Sequence, residues 1–196
     1  AFMLAYLAGQ KAGAIVISVN SMFKSDEVKY ILNDAGAKVV FTTAELLPSI
    51  PRNRCPALQK TVICEGRAAD EIVLGDWLTS GKTGMRGEDM GADDPAALLY
   101  SSGTTGFPKG VTLTHNNTVT NIRAAVNCSG HGTNDRLAIF LPLFHVFAQN
   151  YIMNAGFEAG ATLVLFRRFV PDVVLDGIQR EHVTMFFAVP TIYIAL

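Results

Sequence analysis

An α/β fold, layered and with largely parallel sheets flanked by helices, is predicted for this chain of 196 residues. Three observations carry the prediction. Short apolar runs of strand length alternate with longer amphipathic stretches, the pattern of strand–crossover–strand units. The densest cluster of glycines and hydroxyls, 101–106, begins where the apolar run 97–101 ends, and ligands of such sheets sit beyond strand ends. The length suffices for one substantial domain with a real core.

Taken in order, the chain opens on a mostly apolar stretch, 1–19. Gln10 and Lys11 fall in its middle and Gly9 and Gly13 bracket them, so it reads as a buried helix, 2–12, and a strand, 15–19, rather than a membrane span. Ser25, Asp26 and Glu27 mark a helix start and Gly36 a stop, which gives a helix over 25–35. Strands follow at 38–41 and 61–64. The run 73–78, holding the single tryptophan, Trp77, reads as core packing. Gly81, Gly84, Gly87 and Gly91 are mixed with Lys82, Arg86, Glu88, Asp89, Asp93 and Asp94, so 79–95 reads as exposed linker. This suggests subdomains 1–78 and 92–196 joined by a Gly-rich, charged linker, 79–91. Beyond it, strands are expected at 97–101, 110–115, 136–140, 162–166 and 184–188. Helices are expected at 116–127, 147–156, 171–181 and from Pro190 onward, and Pro171 suits a first helical turn.

Composition excludes several functions. The formal net charge is −1, unlike the basic surface of a nucleic-acid binder. Three cysteines, Cys55, Cys64 and Cys128, show no metal-ligand spacing and read as buried or half-buried thiols of a reducing compartment. With no secretory leader ahead of them, a cytoplasmic location is expected. His131 and His182 read as surface positions, and His115 as the end of a strand or the cap of the next helix.

The stretch 98–115, LLYSSGTTGFPKGVTLTH, carries the chemistry. Glycines allow tight turning and close backbone approach to a ligand, and successive N–H groups in such a turn form an anion-binding concavity. Ser101, Ser102, Thr104 and Thr105 add hydroxyls, Gly103 and Gly106 add freedom, and Lys109 adds a mobile charge. Together they suit a polyphosphate. The Walker pattern does not fit. Counting from Gly103, its second glycine falls on Pro108, and Gly110 follows Lys109 where Ser or Thr is required. The alternation of Val111, Leu113 and His115 with Thr112 and Thr114 reads as a strand, not the helix that a Walker loop opens.

This string resembles the signature loop of the acyl-adenylate-forming (AMP-binding) enzymes, which include fatty acyl- and aryl-CoA synthetases. Leu141, Pro142, Leu143, Phe144, His145, Val146 and Phe147 resemble the family's next motif, and 13–20 and 31–41 resemble its early segments. The resemblance implies activation of a carboxylic acid by ATP to an acyl-adenylate, followed by transfer to coenzyme A, with Mg²⁺ bridging phosphates. It implies that Ser101, Ser102, Gly103, Thr104, Thr105, Gly106 and Lys109 hold the phosphates and that Thr104 contacts Mg²⁺. It assigns His145 a catalytic place beside the adenylate, with Phe144 and Phe147 on the substrate side and Gln149 and Asn150 near them. A fatty acid is ranked first and an aryl acid second; a non-catalytic nucleotide-binding or assembly module of the same fold is the alternative of another class. The family's later motifs are not found up to Leu196. The chain is therefore expected to be an incomplete N-terminal AMP-binding domain, inactive alone and prone to self-association, with peripheral membrane contact left open.

Overall fold

The computed structural model describes residues 1–81, 83–101 and 108–196. They form two compact units, Ala1–His115 and Asn116–Leu196. Both layer helices on sheets, and the strands pair mostly in parallel.

In the first unit, helix α1 (Phe2–Lys11) leads into strand β1 (Val16–Ser18). Gly13 makes the reversal with φ of +67°, where any side chain would also collide with Met90 and Glu88. Gln10, the polar residue amid the apolar stretch, donates from Nε2 to the Ala96 carbonyl at 2.8 Å. Helix α2 (Ser25–Asp34) buries Val28, Ile31 and Leu32, and at its start the Lys24 N–H donates to Glu27 Oε2 at 2.8 Å. Strands β2 (Val39–Thr43), β3 (Lys60–Glu65) and β4 (Ile72–Val73) form one parallel sheet, with Val62 and Ile63 wholly buried. The 73–78 run becomes a short helix, α3 (Leu74–Ser80). Trp77 is 39% exposed and packs edge-on against Phe41 at 6.4 Å, so it is not the core residue expected.

Strand β5 (Pro95–Ser101) lies between β1, parallel, and β6 (Lys109–Thr114), antiparallel. This pairing places the Gly-rich segment 79–91 inside the first unit rather than between two, because β5 returns to pair with β1. The Glu88 N–H also donates to the Lys11 carbonyl at 3.0 Å. Composition marks the segment as exposed; pairing decides which unit owns it.

Helix α4 (His115–Ser129) begins on the last residue of the first unit and belongs otherwise to the second. Strands β7 (Arg136–Ile139) and β8 (Thr162–Leu165) pair in parallel, from Arg136 with Thr162 to Ile139 with Leu165. A π-helix, Phe147–Asn154, occupies most of the expected helix 147–156 and runs into α5 (Ala155–Glu158). Helices α6 (Pro171–Arg180) and α7 (Pro190–Ala195) follow. The expected strand at 184–188 is a single bridge from Met185 to Leu137. The Thr184 and Met185 amides both donate to the Arg136 carbonyl, after which Phe186 enters an aromatic cluster with Phe140, 4.9 Å away. Leu137, Ile152, Met153 and Val174 are fully buried in this unit. Among the described residues no helix is long and apolar enough to cross a membrane.

Candidate functional site

The hairpin of β5 and β6 sets the geometry expected to serve phosphate. Tyr100 pairs with Gly110 and Ser101 with Lys109, so the last two residues face each other where the strands end. The Lys109 side chain is exposed and pairs with no carboxylate among the described residues. Ser102, Gly103, Thr104, Thr105 and Gly106 lie outside the described residues. One residue before Ser101, the Tyr100 hydroxyl donates to Asp34 Oδ2 at 2.6 Å. Burial, and then the Asp34 carboxylate, push the phenol far above its ordinary range, so it stays a donor across physiological pH.

His145 stands where β7 has ended and the π-helix begins. Its N–H donates to the Pro142 carbonyl at 3.0 Å, and its carbonyl accepts from Gln149 at 3.0 Å. The Phe147 N–H donates to His145 Nδ1 at 3.2 Å. An Nδ1 that accepts leaves the neutral ring's proton on Nε2. The side chain is exposed, so Nε2–H is available to an incoming oxygen. Phe144 and Phe147 are half-buried, and Phe147 stacks on Tyr151 at 5.4 Å.

Gln149 and Asn150 do not line an open surface. Both are buried and tied within the unit. Gln149 donates to the Leu143 carbonyl at 3.2 Å, Asn150 donates to Asn121 Oδ1 at 2.6 Å, and Asn154 donates to Asn150 Oδ1 at 3.2 Å. The Asn150–Asn121 bond joins α4 to the π-helix, a wide turn that recurs at functional sites. That bond anchors the element that begins at Phe147, two residues after His145.

His131 corrects a sequence expectation. It is 7% exposed, stacks on Phe187 at 5.5 Å and meets Tyr151 edge-on at 6.3 Å. Burial pushes its pKa down, against the opposing pull of Asp135, and so favours the neutral ring. Nothing in Gly130-His131-Gly132 signals burial, because the rings that cover His131, Tyr151 and Phe187, lie far away in sequence. Asp135 is held below the usual carboxylate range by the Thr184 hydroxyl at 2.7 Å and the Gly132 N–H at 2.8 Å. Of the thiols, Cys55 is buried and Cys64 half-buried as expected, but Cys128 is exposed. His182 is exposed, and His115 opens α4. An open groove of about 830 Å³ runs beside β8 and α6, lined by Arg136, Arg168 and Arg180 among others, and holds none of the predicted site residues.

For the metal, the one sequence-assigned ligand, Thr104, lies outside the described residues. Among the described residues no three His, Cys, Asp or Glu side chains gather as a metal site would require.

The family described as AMP-binding enzyme matches residues 1–196. The 4-coumarate–CoA ligase 3 of Arabidopsis thaliana is 32% identical over 201 residues, which cover 100% of this chain and 36% of that protein. The crystal structure of ATP-bound MatB from Rhodopseudomonas palustris superposes with a TM-score of 0.89 at 29% identity, covering 100% of this chain and 38% of that one. The anthranilate CoA ligase AuaEII, in complex with anthranoyl-AMP, superposes with a TM-score of 0.88 at 32% identity, covering 96% and 38%. The chain thus spans little more than a third of the length of these relatives. Its fold matches the N-terminal domain of adenylate-forming enzymes, and the chain belongs to the AMP-binding enzyme family.

Proposed function

We propose that the full-length protein carrying this chain is an acid–CoA ligase that works through an acyl-adenylate. In the first half-reaction a carboxylate oxygen of the acid attacks the α-phosphorus of ATP. The bond from that phosphorus to the bridging oxygen breaks, and pyrophosphate leaves with the electron pair. In the second, the sulfur of coenzyme A attacks the acyl carbon and AMP leaves. Adenylation thereby turns a poor leaving oxygen into a good one.

The observation that carries this reading is the β5–β6 hairpin, whose stems set Ser101 against Lys109 at the ends of the glycine- and hydroxyl-rich segment 102–107. Lys109 supplies positive charge toward the leaving phosphates, and preorganised donors of this kind stabilise charge as it develops. His145 Nε2–H is suited to donate to a carboxylate or phosphate oxygen. Mg²⁺ is the divalent ion such a reaction uses, and it supplies charge neutralisation on the phosphates.

For the acid we place an aromatic carboxylate ahead of the fatty acid that the sequence resemblance ranked first. Relatives named for coumarate and anthranilate support that order. Acid-dependent pyrophosphate exchange into ATP by the full-length protein tests both levels. Exchange with benzoate or 4-coumarate is expected. Exchange with octanoate or palmitate alone returns the fatty acid to first place, and no exchange with any acid refutes the ligase.

A further inference from the structure

We propose that Tyr100 is a positioning residue for the phosphate loop, a strut whose ring covers one stem of the hairpin while its hydroxyl ties the other stem to Asp34 at the end of α2. The proposal rests on the reading of 101–109 as the phosphate grip.

Tyr100 is the last β5 residue before Ser101, and its cross-strand partner is Gly110, the first residue after Lys109. A Cβ built on Gly110 would lie 3.2 Å from Tyr100 Cζ and 3.3 Å from Cε1. The ring therefore lies across the bare Gly110 backbone, a close approach that a strand glycine permits. From there the hydroxyl reaches Asp34 Oδ2 at 2.6 Å, across 66 residues of sequence. Asp34 closes α2, and α2 is fixed in the core by Val28, Ile31 and Leu32. One side chain thus links both stems to a helix anchored in the core by its apolar face.

The placement of Asp34 supports the role. A carboxylate at a helix C-terminus opposes the helix dipole, so this end of α2 holds an acid against local preference, and the Tyr100 phenol offsets it by donating to that carboxylate. Asp34 lies on α2 and Tyr100 precedes the loop, so they act on the ligand through Ser101 and Lys109. Fixing the stems sets Ser101 and Lys109 in place before phosphate binds, which is how a remote contact raises a rate.

Tyr100→Phe keeps the ring over Gly110 and removes only the bond to Asp34; Asp34→Asn weakens the same bond from the other side. In the full-length protein each is expected to lower kcat of pyrophosphate exchange about tenfold, a fraction of what an ångström of misplacement costs. KM for MgATP should rise while KM for the acid stays unchanged. The double variant should be no worse than the worse single one, since both delete one bond. Amide hydrogen exchange at 99–101 and 109–111 should quicken in all three. Wild-type kcat and MgATP KM in Tyr100→Phe, equal shifts in both KM values, or additive losses in the double variant would overturn the strut. Should the unaltered protein exchange pyrophosphate with no acid, the ligase reading has failed. The strut then stands or falls on hydrogen exchange: unchanged rates at the stems reject it.

Discussion

The bond from the Phe147 N–H to His145 Nδ1, at 3.2 Å, predicts which half of the imidazole matters. With Nδ1 occupied as an acceptor, the atom that can meet a substrate oxygen is Nε2–H. His145→Gln sets an amide nitrogen near the place of Nε2. His145→Asn sets an amide oxygen near the place of Nδ1 and leaves nothing at Nε2. A hydrogen bond to a charged acceptor is worth about 1.5–3 kcal/mol, and a neutral one about 0.5–1.5 kcal/mol. The side chain is exposed, so water competes and the lower end of the charged range applies. About 1.5 kcal/mol is roughly tenfold. We therefore expect His145→Asn to lower kcat/KM for the acid about tenfold, and His145→Gln to lower it less than about threefold, because the Nδ1 contact is a single neutral bond. The assay is pyrophosphate exchange at saturating MgATP, with the thermal midpoint of each variant as a control on folding. If Asn serves better than Gln, or both match histidine, the Nε2–H assignment is refuted.

Three further outcomes follow from the second unit. His131 has its pKa lowered by burial from an ordinary value near 6.5, so the unfolded chain binds the proton more readily. Its contribution is fully present above that pH and is lost as pH falls through the lowered folded value. His131→Phe, stacked on Phe187 in its place, should flatten the fall of the thermal midpoint between about pH 7.5 and 5.5 set by this unfolded value; an unchanged slope argues against the buried neutral ring. Leu137, 0% exposed on β7, should cost about 3 kcal/mol when cut to alanine. A loss below about 1 kcal/mol by urea titration, outside the range for buried leucine, would contradict its burial. The isolated segment 1–196 should self-associate through exposed apolar side chains such as Ile194 (85%), Leu165 (60%) and Tyr193 (54%). A clean monomer by light scattering at high concentration would count against this.

Much of the fold is legible because local rules and tertiary demands coincide. Val111 and Leu113 alternate with Thr112 and Thr114, and they lie in β6. The strand begins one residue earlier than the alternation suggests, since Lys109 pairs with Ser101. Pro171 opens α6 as its fixed φ favours. What sequence does not reveal is which distant runs pair. β1 meets β5 some eighty residues on, and that pairing takes the exposed segment 79–91 into the first unit. Trp77 shows a related gap. Its apolar neighbours suggest core, but they form a short helix at the sheet's margin that leaves the ring half in solvent.

At the candidate site, the legible residues are those whose chemistry is unusual in sequence, and the illegible ones are those that hold them. Lys109 among glycines and hydroxyls, and His145 after Pro142-Leu143-Phe144, stand out by type. Tyr100, Asp34 and Asn154 do not, because each resembles an ordinary strand or surface residue until its partner is known. Burying an amide without a partner costs on the order of 1–3 kcal/mol. The chain Asn154–Asn150–Asn121 is therefore tolerable only as a set. Helical periodicity cannot distinguish the π-helix, since an α-helix over the same residues would show the same apolar side chains at Ile152 and Met153. The buried amides differ in kind from those apolar residues. Asn150 binds the wide turn to α4, and the first N–H of that turn, Phe147's, fixes the ring of His145.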